Sequence, residues 1–383
     1  MLISFACNKS DDANLSFDKV SGLVQKGPYL AGGEMTLTGI TESLMPNGTS
    51  FTAQILDNKG TFEFRQVNLG APYAEVKADG FYFDEVKNVN SSAQLILYAL
   101  SDLSDGNNIN VNVLTDLEKG RVEYLMEQGL GFTEAEAQAQ QEVLAIFNIS
   151  KTGMEKSERL DVSATGDDNA ILLAISVILQ GYQSVSGLSE LLANINTDIR
   201  EDGVLDSHTL GTMLINNARA IHPDQIRTNL QNRYEAMGLD ITVPDFEKYV
   251  NQFIANTDYE FSGFIQYPET GNSGLNILDK NKADYAVGSY SMKAVLPEGA
   301  SLKVKIKGPS WAFPAFQDNT GWIFTDWDAT DQSRVFTATR SGSVDFEIML
   351  NASHNTTSVA YTYLSVYENG DVDPTWTKTI AAK

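Results

Sequence analysis

Six aromatic side chains fall within 17 residues of the stretch GPSWAFPAFQDNTGWIFTDWDATD: Trp311, Phe313, Phe316, Trp322, Phe324 and Trp327, interleaved with Asp, Asn and Gln. Flat aromatic faces stack on the apolar faces of sugar rings while neighbouring amides and carboxylates take the hydroxyls. The mixture therefore suits recognition of a glycan or of a protein surface. The same rings also suit a core, where large aromatics usually go. Phe324 and Asp326 alternate with Thr325 and Trp327, so the rings are expected to point both ways. Most should fill a core, with one or two tryptophans exposed, and Trp311, Trp322 and Trp327 are the candidate ligand-binding residues.

Other chemistry is sparse. His208, His222 and His354 are far apart, with no His-Glu-x-x-His spacing to place two ligands on one helical face. The run DIREDGVLDSHT sets Asp198, Asp202 and Gly203 at positions one, five and six of a calcium loop. Arg200 and Thr209 stand where ligands belong, so an acidic turn between helices is the better reading. There is no Gly-x-Ser-x-Gly elbow, phosphate loop or dinucleotide fingerprint. Fifty carboxylates leave a paired-carboxylate glycoside hydrolase open, but small β and helical modules are unusual hosts for one. The expectation is no catalytic residue, no metal and no cofactor, hence no enzyme.

The chain carries 27 basic and 50 acidic side chains, a net charge of −23. That field repels phosphate backbones at long range, so nucleic acid is not an expected partner. Residues 1–258 hold 17 basic and 36 acidic groups, leaving −4 for the remainder, which also holds all four tryptophans. The shift marks a domain boundary. No stretch approaches the roughly 18 consecutive apolar residues of a membrane-spanning helix.

Cys7 is the only cysteine, so no internal disulfide forms. The segment SFAC resembles a bacterial lipobox, although Ser4 stands where Leu is common. The resemblance implies an acylated Cys7 that anchors the protein to a membrane, since two or three acyl chains hold where one gives marginal binding. Residues 1–6 then read as the tail of a truncated export signal, and NKSDDAN as a polar tether. A Lys followed by paired acids further resembles the surface-export signal of Bacteroidota-type lipoproteins, with Ser10 interrupting it.

These groups must be positioned by a scaffold, and its periods are readable. From Lys19 to Leu103 the period is two, as in EMTLTGI and SFTAQIL, with DNKG as a hairpin turn, which predicts a β-sandwich. From residue 104 to 258 the period is 3.6: Thr115 with Glu118 and Thr133 with Glu136 read as capping boxes, and AILLAISVIL reads as a buried central helix. An all-α bundle is predicted there. From 259 to 383 strands return, and in SLKVKIK the apolar Leu302, Val304 and Ile306 alternate with Lys303, Lys305 and Lys307, giving one buried and one cationic face. A second sandwich is predicted, so the fold class is multidomain α+β, with residues 1–18 as signal, anchor and tether.

VQKGPYLAGGEMTLTGI, LDNKGTFEF and YAEVKADGFYFDEV resemble the opening domain of a family of Bacteroidota surface lipoproteins, similar to the transthyretin-like or carboxypeptidase-regulatory-like sandwich. The closing YENGDVDPTWTKTI is also similar to the family's last strands. The resemblance implies a non-catalytic module at the bacterial outer membrane, exposed at the cell surface. Binding or adhesion, with a glycan as ligand, is the leading expectation. A structural or accessory subunit of an envelope complex, docking a surface protein through the helical middle, is the alternative.

Overall fold

Alternating side chains in the first hundred residues build strands that bury one face each. In chain order they are β1 (Leu15–Gln25), β2 (Glu34–Ile40), β3 (Pro46–Gln54), β4 (Thr61–Leu69), β5 (Tyr73–Gly80), β6 (Phe83–Asp84), β7 (Val89–Asn90), β8 (Leu95–Asp102) and β9 (Val111–Asn112). Seven make two sheets, ordered β4-β1-β9 and β3-β2-β5-β8, and β6 pairs with β7. The buried rows, Val20, Phe62 and Phe64 on one sheet and Met35, Leu37, Val76 and Leu97 on the other, are sealed from water. The computed structural model describes residues 15–267, 285–308, 312–317, 321–343, 346–352 and 360–382. Cys7, Trp311 and His354 lie outside the described residues.

Helices α1 (Val113–Glu127), α2 (Phe132–Ile146), α3 (Asp167–Gln180), α4 (Val185–Ile199), α5 (His208–Ala220), α6 (Pro223–Ala236) and α7 (Glu247–Asn256) follow. The start of α1 lies earlier than the sequence suggests. Asn112 is its cap, accepting from the Leu114 and Thr115 amides at 2.9 and 3.1 Å, and Thr115 closes the box by accepting from the Asn112 amide at 3.0 Å. Thr115 also donates to the Tyr98 carbonyl at 2.8 Å, which seats the helix on β8. The second box is absent: α2 begins at Phe132 behind Gly131 without a side-chain cap. In α3, every residue from Ala170 to Gln180 is buried, and no single helix among the described residues is long and apolar enough to cross a membrane.

The described strands and helices of residues 15–260 fall in one compact unit. One reason is apolar. Ile40 and Leu100 on the sheet share a cluster with Val122 and Leu125 of α1 and Phe132, Ala135 and Ala139 of α2. The other is polar. Lys26 and Glu85, each 0% exposed, pair at 2.6 Å in the loops that follow β1 and β6. The Lys26 carbonyl accepts from Ser176 of α3, and the Glu85 carbonyl accepts from Asn229 of α6 at 2.9 Å. Tyr82, whose ring centroid lies 5.5 Å from the Lys26 ammonium, donates to Gln180 at 2.9 Å. Gly27 permits this closeness: a Cβ there would come within 2.2 Å of the Phe83 carbonyl oxygen and 2.5 Å of a Glu85 carboxylate oxygen.

The second unit, residues 261–383, contains β10 (Phe264–Gln266), β11 (Tyr285–Leu296), β12 (Ser301–Lys307), β13 (Ala312–Gln317), β14 (Trp322–Phe324), β15 (Ser333–Ala338), β16 (Gly342–Ser343), β17 (Phe346–Ala352), β18 (Ala360–Glu368) and β19 (Trp376–Ala382). They form sheets β10-β11-β17-β13, with β16 on β11, and β14-β15-β12-β18-β19. Met292, Ala294 and Leu296 of the first sheet share one core with Leu302, Val304, Ile306, Phe336, Leu364 and Val366 of the second. The architecture is thus mixed α+β in two units.

Removing one member of a buried ion pair leaves an uncompensated charge. Lys26→Met is therefore expected to cost about 3–5 kcal/mol in urea unfolding followed by far-ultraviolet circular dichroism. Lys26→Met combined with Glu85→Leu should recover most of that loss. A single variant as stable as the parent would show that the pair does not hold strands and helices together.

Candidate functional site

The aromatic stretch turns Trp322 inward rather than presenting it to solvent. Register decides this. Trp322 lies opposite Ala338, and Phe324 opposite Phe336, so Trp322 shares the inward side of the sheet with two buried residues. It is 5% exposed and meets Phe336 edge-to-face, 6.3 Å between centroids at 88°. The assignment of Trp322 to ligand binding is corrected: it is core. Trp327 is half-buried and packs against the same cluster. Trp376, also half-buried, stacks on Tyr267 at 5.7 Å and 7°, and Tyr267 donates to Glu368 at 2.7 Å.

The opposite side of that sheet is different. Directly paired residues in an antiparallel sheet point the same way, so the outward rows follow from the register. Lys303 lies between Val335 and Tyr367, Lys305 between Ser333 and Ser365, and Lys307 beside Tyr363, while Thr377 and Thr379 lie opposite Ser365 and Tyr363. Ile323 faces out at 62% exposure and Tyr363 at 49%. Tyr363 and Tyr367 are four residues apart, about 13 Å along a strand. The Lys303 ammonium lies 6.0 Å from the Tyr367 ring centroid. Two tyrosine rings, three lysines and a row of hydroxyls therefore share one solvent-facing surface. The chemistry of such a surface suits stacking on sugar rings and bonding of their hydroxyls.

Sequence alternation in SLKVKIK foretold the lysine row. It did not foretell Tyr363 and Tyr367, whose contribution depends on β18 pairing with β12 in this register. The signal was local: LSVY alternates apolar and polar positions, but which row faces water is set by the partner strand.

The remaining candidates are occupied by internal bonds. Asp198 ends α4 and accepts from the Ser207 amide at 3.1 Å, and Asp202 accepts from the Val204 amide at 3.0 Å. These acids shape an interhelical turn, and no group of metal-ligating side chains occurs among the described residues. His208 opens α5, exposed, 3.6 Å from Glu260; His222 precedes Pro223 at the start of α6 without capping it. A cleft of about 450 Å³ lies between β8, α1 and α4, with Asp116, Lys119, Asn196 and Arg200 in its lining. Asp116 accepts from the Tyr98 amide at 3.0 Å, Lys119 binds Glu75 and Glu123 at 3.2 and 2.5 Å, and Arg200 meets Glu127 at 3.3 Å.

Three glutamates bear on paired-carboxylate chemistry. Glu118, Glu136 and Glu158 are 4%, 7% and 2% exposed, so they sit inside the first unit rather than in a cleft. Ser157 donates to Glu118 at 2.5 Å, and Lys156 pairs with Glu136 at 3.0 Å. Burial, reinforced by the Glu136 carboxylate, pushes Glu158 up to about 7; burial likewise raises Glu118 and Glu136, and takes Asp116 up to about 7.

No family model matches the chain, and no curated protein does. Solved structures give partial likenesses. A cohesin module from a Clostridium perfringens family 33 glycoside hydrolase is 7% identical, covering 32% of this chain and 96% of that one, with a TM-score of 0.21. The major subunit of Myf fimbriae from Yersinia enterocolitica is 16% identical over 32% and 95%, with a TM-score of 0.19. The collagen-binding domain of a Staphylococcus aureus adhesin is 8% identical over 32% and 97%, with a TM-score of 0.18. Likenesses of this size carry no inference about function.

Two predictions follow from the burial pattern. Trp322→Ala should cost about 3–5 kcal/mol of stability in the second unit, a loss that chemical unfolding would register and that a surface tryptophan would not produce. The buried carboxyls hold their protons to higher pH in the folded chain than near the ordinary value of 4.5 for glutamate. The folded state therefore binds more protons across that interval, and stability falls as pH rises from about 4.5 to about 7. Glu158→Gln should flatten that decline; an unchanged slope would remove Glu158 as its source.

Proposed function

We propose that the protein is a non-catalytic glycan-binding component of the bacterial envelope, held at the outer membrane by acylated Cys7 and exposed at the cell surface. The observation that carries the binding role is the open side of the β14-β15-β12-β18-β19 sheet, where Tyr363 and Tyr367 flank the lysine row. Aromatic rings on a flat sheet supply large contact area at low entropic cost, because each has two side-chain torsions. The threonines and Ser365 supply hydroxyl partners from the neighbouring strands. The resemblance to Bacteroidota surface lipoproteins supports the same location.

Screening the full chain on a glycan array tests the reading. At least one glycan should bind, and Tyr363→Ala or Tyr367→Ala should weaken it tenfold or more while the circular dichroism spectrum is unchanged. Absence of binding to every glycan, or binding indifferent to both tyrosines, would overturn it. For the anchor, Cys7→Ala should abolish fatty-acid labelling and release the protein from membranes; a variant that still fractionates with membranes would refute lipidation.

A further inference from the structure

Three lysines alternate along β12, so their ammonium groups recur about every 7 Å on one face. The outward strand rows bring no acid to meet them: their neighbours are Val335, Ser333, Tyr367, Ser365 and Tyr363. Among the described residues one carboxylate binds the row from outside it, with Asp328 a more distant acid acting on Lys305. Asp331, in the turn between β14 and β15, binds Lys303, and it binds Lys305 at 2.5 Å. Its position is fixed by the turn. Asp328 accepts from the Thr330 and Asp331 amides at 2.8 and 3.1 Å, and Ser333 donates to Asp331 at 2.9 Å. Hydrogen bonds from Lys303, then Lys305 and Ser333, hold the Asp331 carboxyl well below the usual carboxylate range, so it is charged throughout the physiological pH interval. Lys307 has no ion pair among the described residues and is exposed.

Stability does not explain this arrangement. Exposed lysine–aspartate pairs contribute about 0–1 kcal/mol, and the chain has acids to spare, 50 against 27 bases. Among the described residues, three cations set against Asp331 and the more distant Asp328 leave a positive excess on the face that also bears the tyrosines. The net charge of −23 does not cancel it at working salt, because the Debye length is about 8 Å at physiological ionic strength and more distant charges are screened. What a ligand meets is the local charge.

We infer that this face selects acidic glycans, chains bearing carboxylate or sulfate groups, and that Asp331 is a built-in competitor lying where one of the ligand's anionic groups would bind Lys303 and Lys305. The inference rests on the glycan-binding reading and adds the ligand's charge and the residue that tunes its affinity. Lys307 makes the first contact with an anionic group, and Tyr363 beside it takes the sugar ring. A second anionic group reaches Lys303 and Lys305 only against Asp331. A neutral glycan uses the rings and hydroxyls alone.

Matched polymers test this with the full chain at physiological salt: polygalacturonate against its fully methyl-esterified form, and dextran sulfate against dextran. At least one acidic polymer should bind tenfold or more tightly than its neutral counterpart, and weaken as salt is raised. Lys307→Ala should weaken acidic binding about fivefold or more. Asp331→Asn should strengthen it several-fold and leave binding of any neutral glycan unchanged. Neutral and acidic members binding equally, neither acidic polymer binding, or Asp331→Asn failing to strengthen the acidic complex would overturn the inference. If array glycans still bind through Tyr363 in those cases, the glycan-binding reading stands without it. If no glycan binds at all, that reading falls with it.

Discussion

The first unit depends on one buried ion pair. Lys26 and Glu85 are both sealed from water, and two charges in such a place are tolerable only because each offsets the other. Even so the match is incomplete: one Glu85 carboxylate oxygen accepts no hydrogen bond among the described residues, and burial holds its carboxyl above the ordinary range. A hydrophobic pair would cost less. What the ions add is position, because the backbone carbonyls of the same two residues accept from α3 and α6. The loop holding Lys26 cannot slide without separating charges and abandoning both helices. Strands and helices on either side of residue 103 are consequently tied together through these two loops.

Much of the fold was legible because period is a local property. The strands of the first hundred residues, the helices from α1 to α7 and the alternation of β12 all show in single stretches of sequence. What was not legible depends on distant partners. Nothing near Lys26 announces that Glu85, 59 positions on, will enclose it. Asn112 displaced Thr115 as the cap of α1 because the residue before the helix is also the end of β9, a pairing with β1 that local pattern does not reveal. The aromatic stretch was legible as chemistry and ambiguous as placement. Trp322 went inward because β14 pairs with β15 in one register and not its neighbour; a slip of one residue would have exposed it and buried Ile323.

Among the described side chains of the second unit, aromatic residues divide by strand face. Trp322, Phe336 and the half-buried Trp327 and Trp376 serve the core cluster, whereas Tyr363 and Tyr367 stand on the outer rows. The division has a chemical basis. A tyrosine at a surface keeps its hydroxyl in water while offering its ring, and a lysine row beside it is solvated on the same side. Tryptophan, larger and with one donor, fills volume between sheets. Composition put all the tryptophans in this unit, yet among the described side chains the outward rows of this sheet are furnished by other residues.

That distribution makes the chain its own two-channel reporter. All four tryptophans lie beyond residue 310, and all seven described helices end before residue 257. Indole emission thus reads the second unit, and the helical dichroism signal reads the first. One denaturation followed by both signals separates the two transitions without cutting the chain, and an anion arriving on the lysine row perturbs only one of the two channels directly.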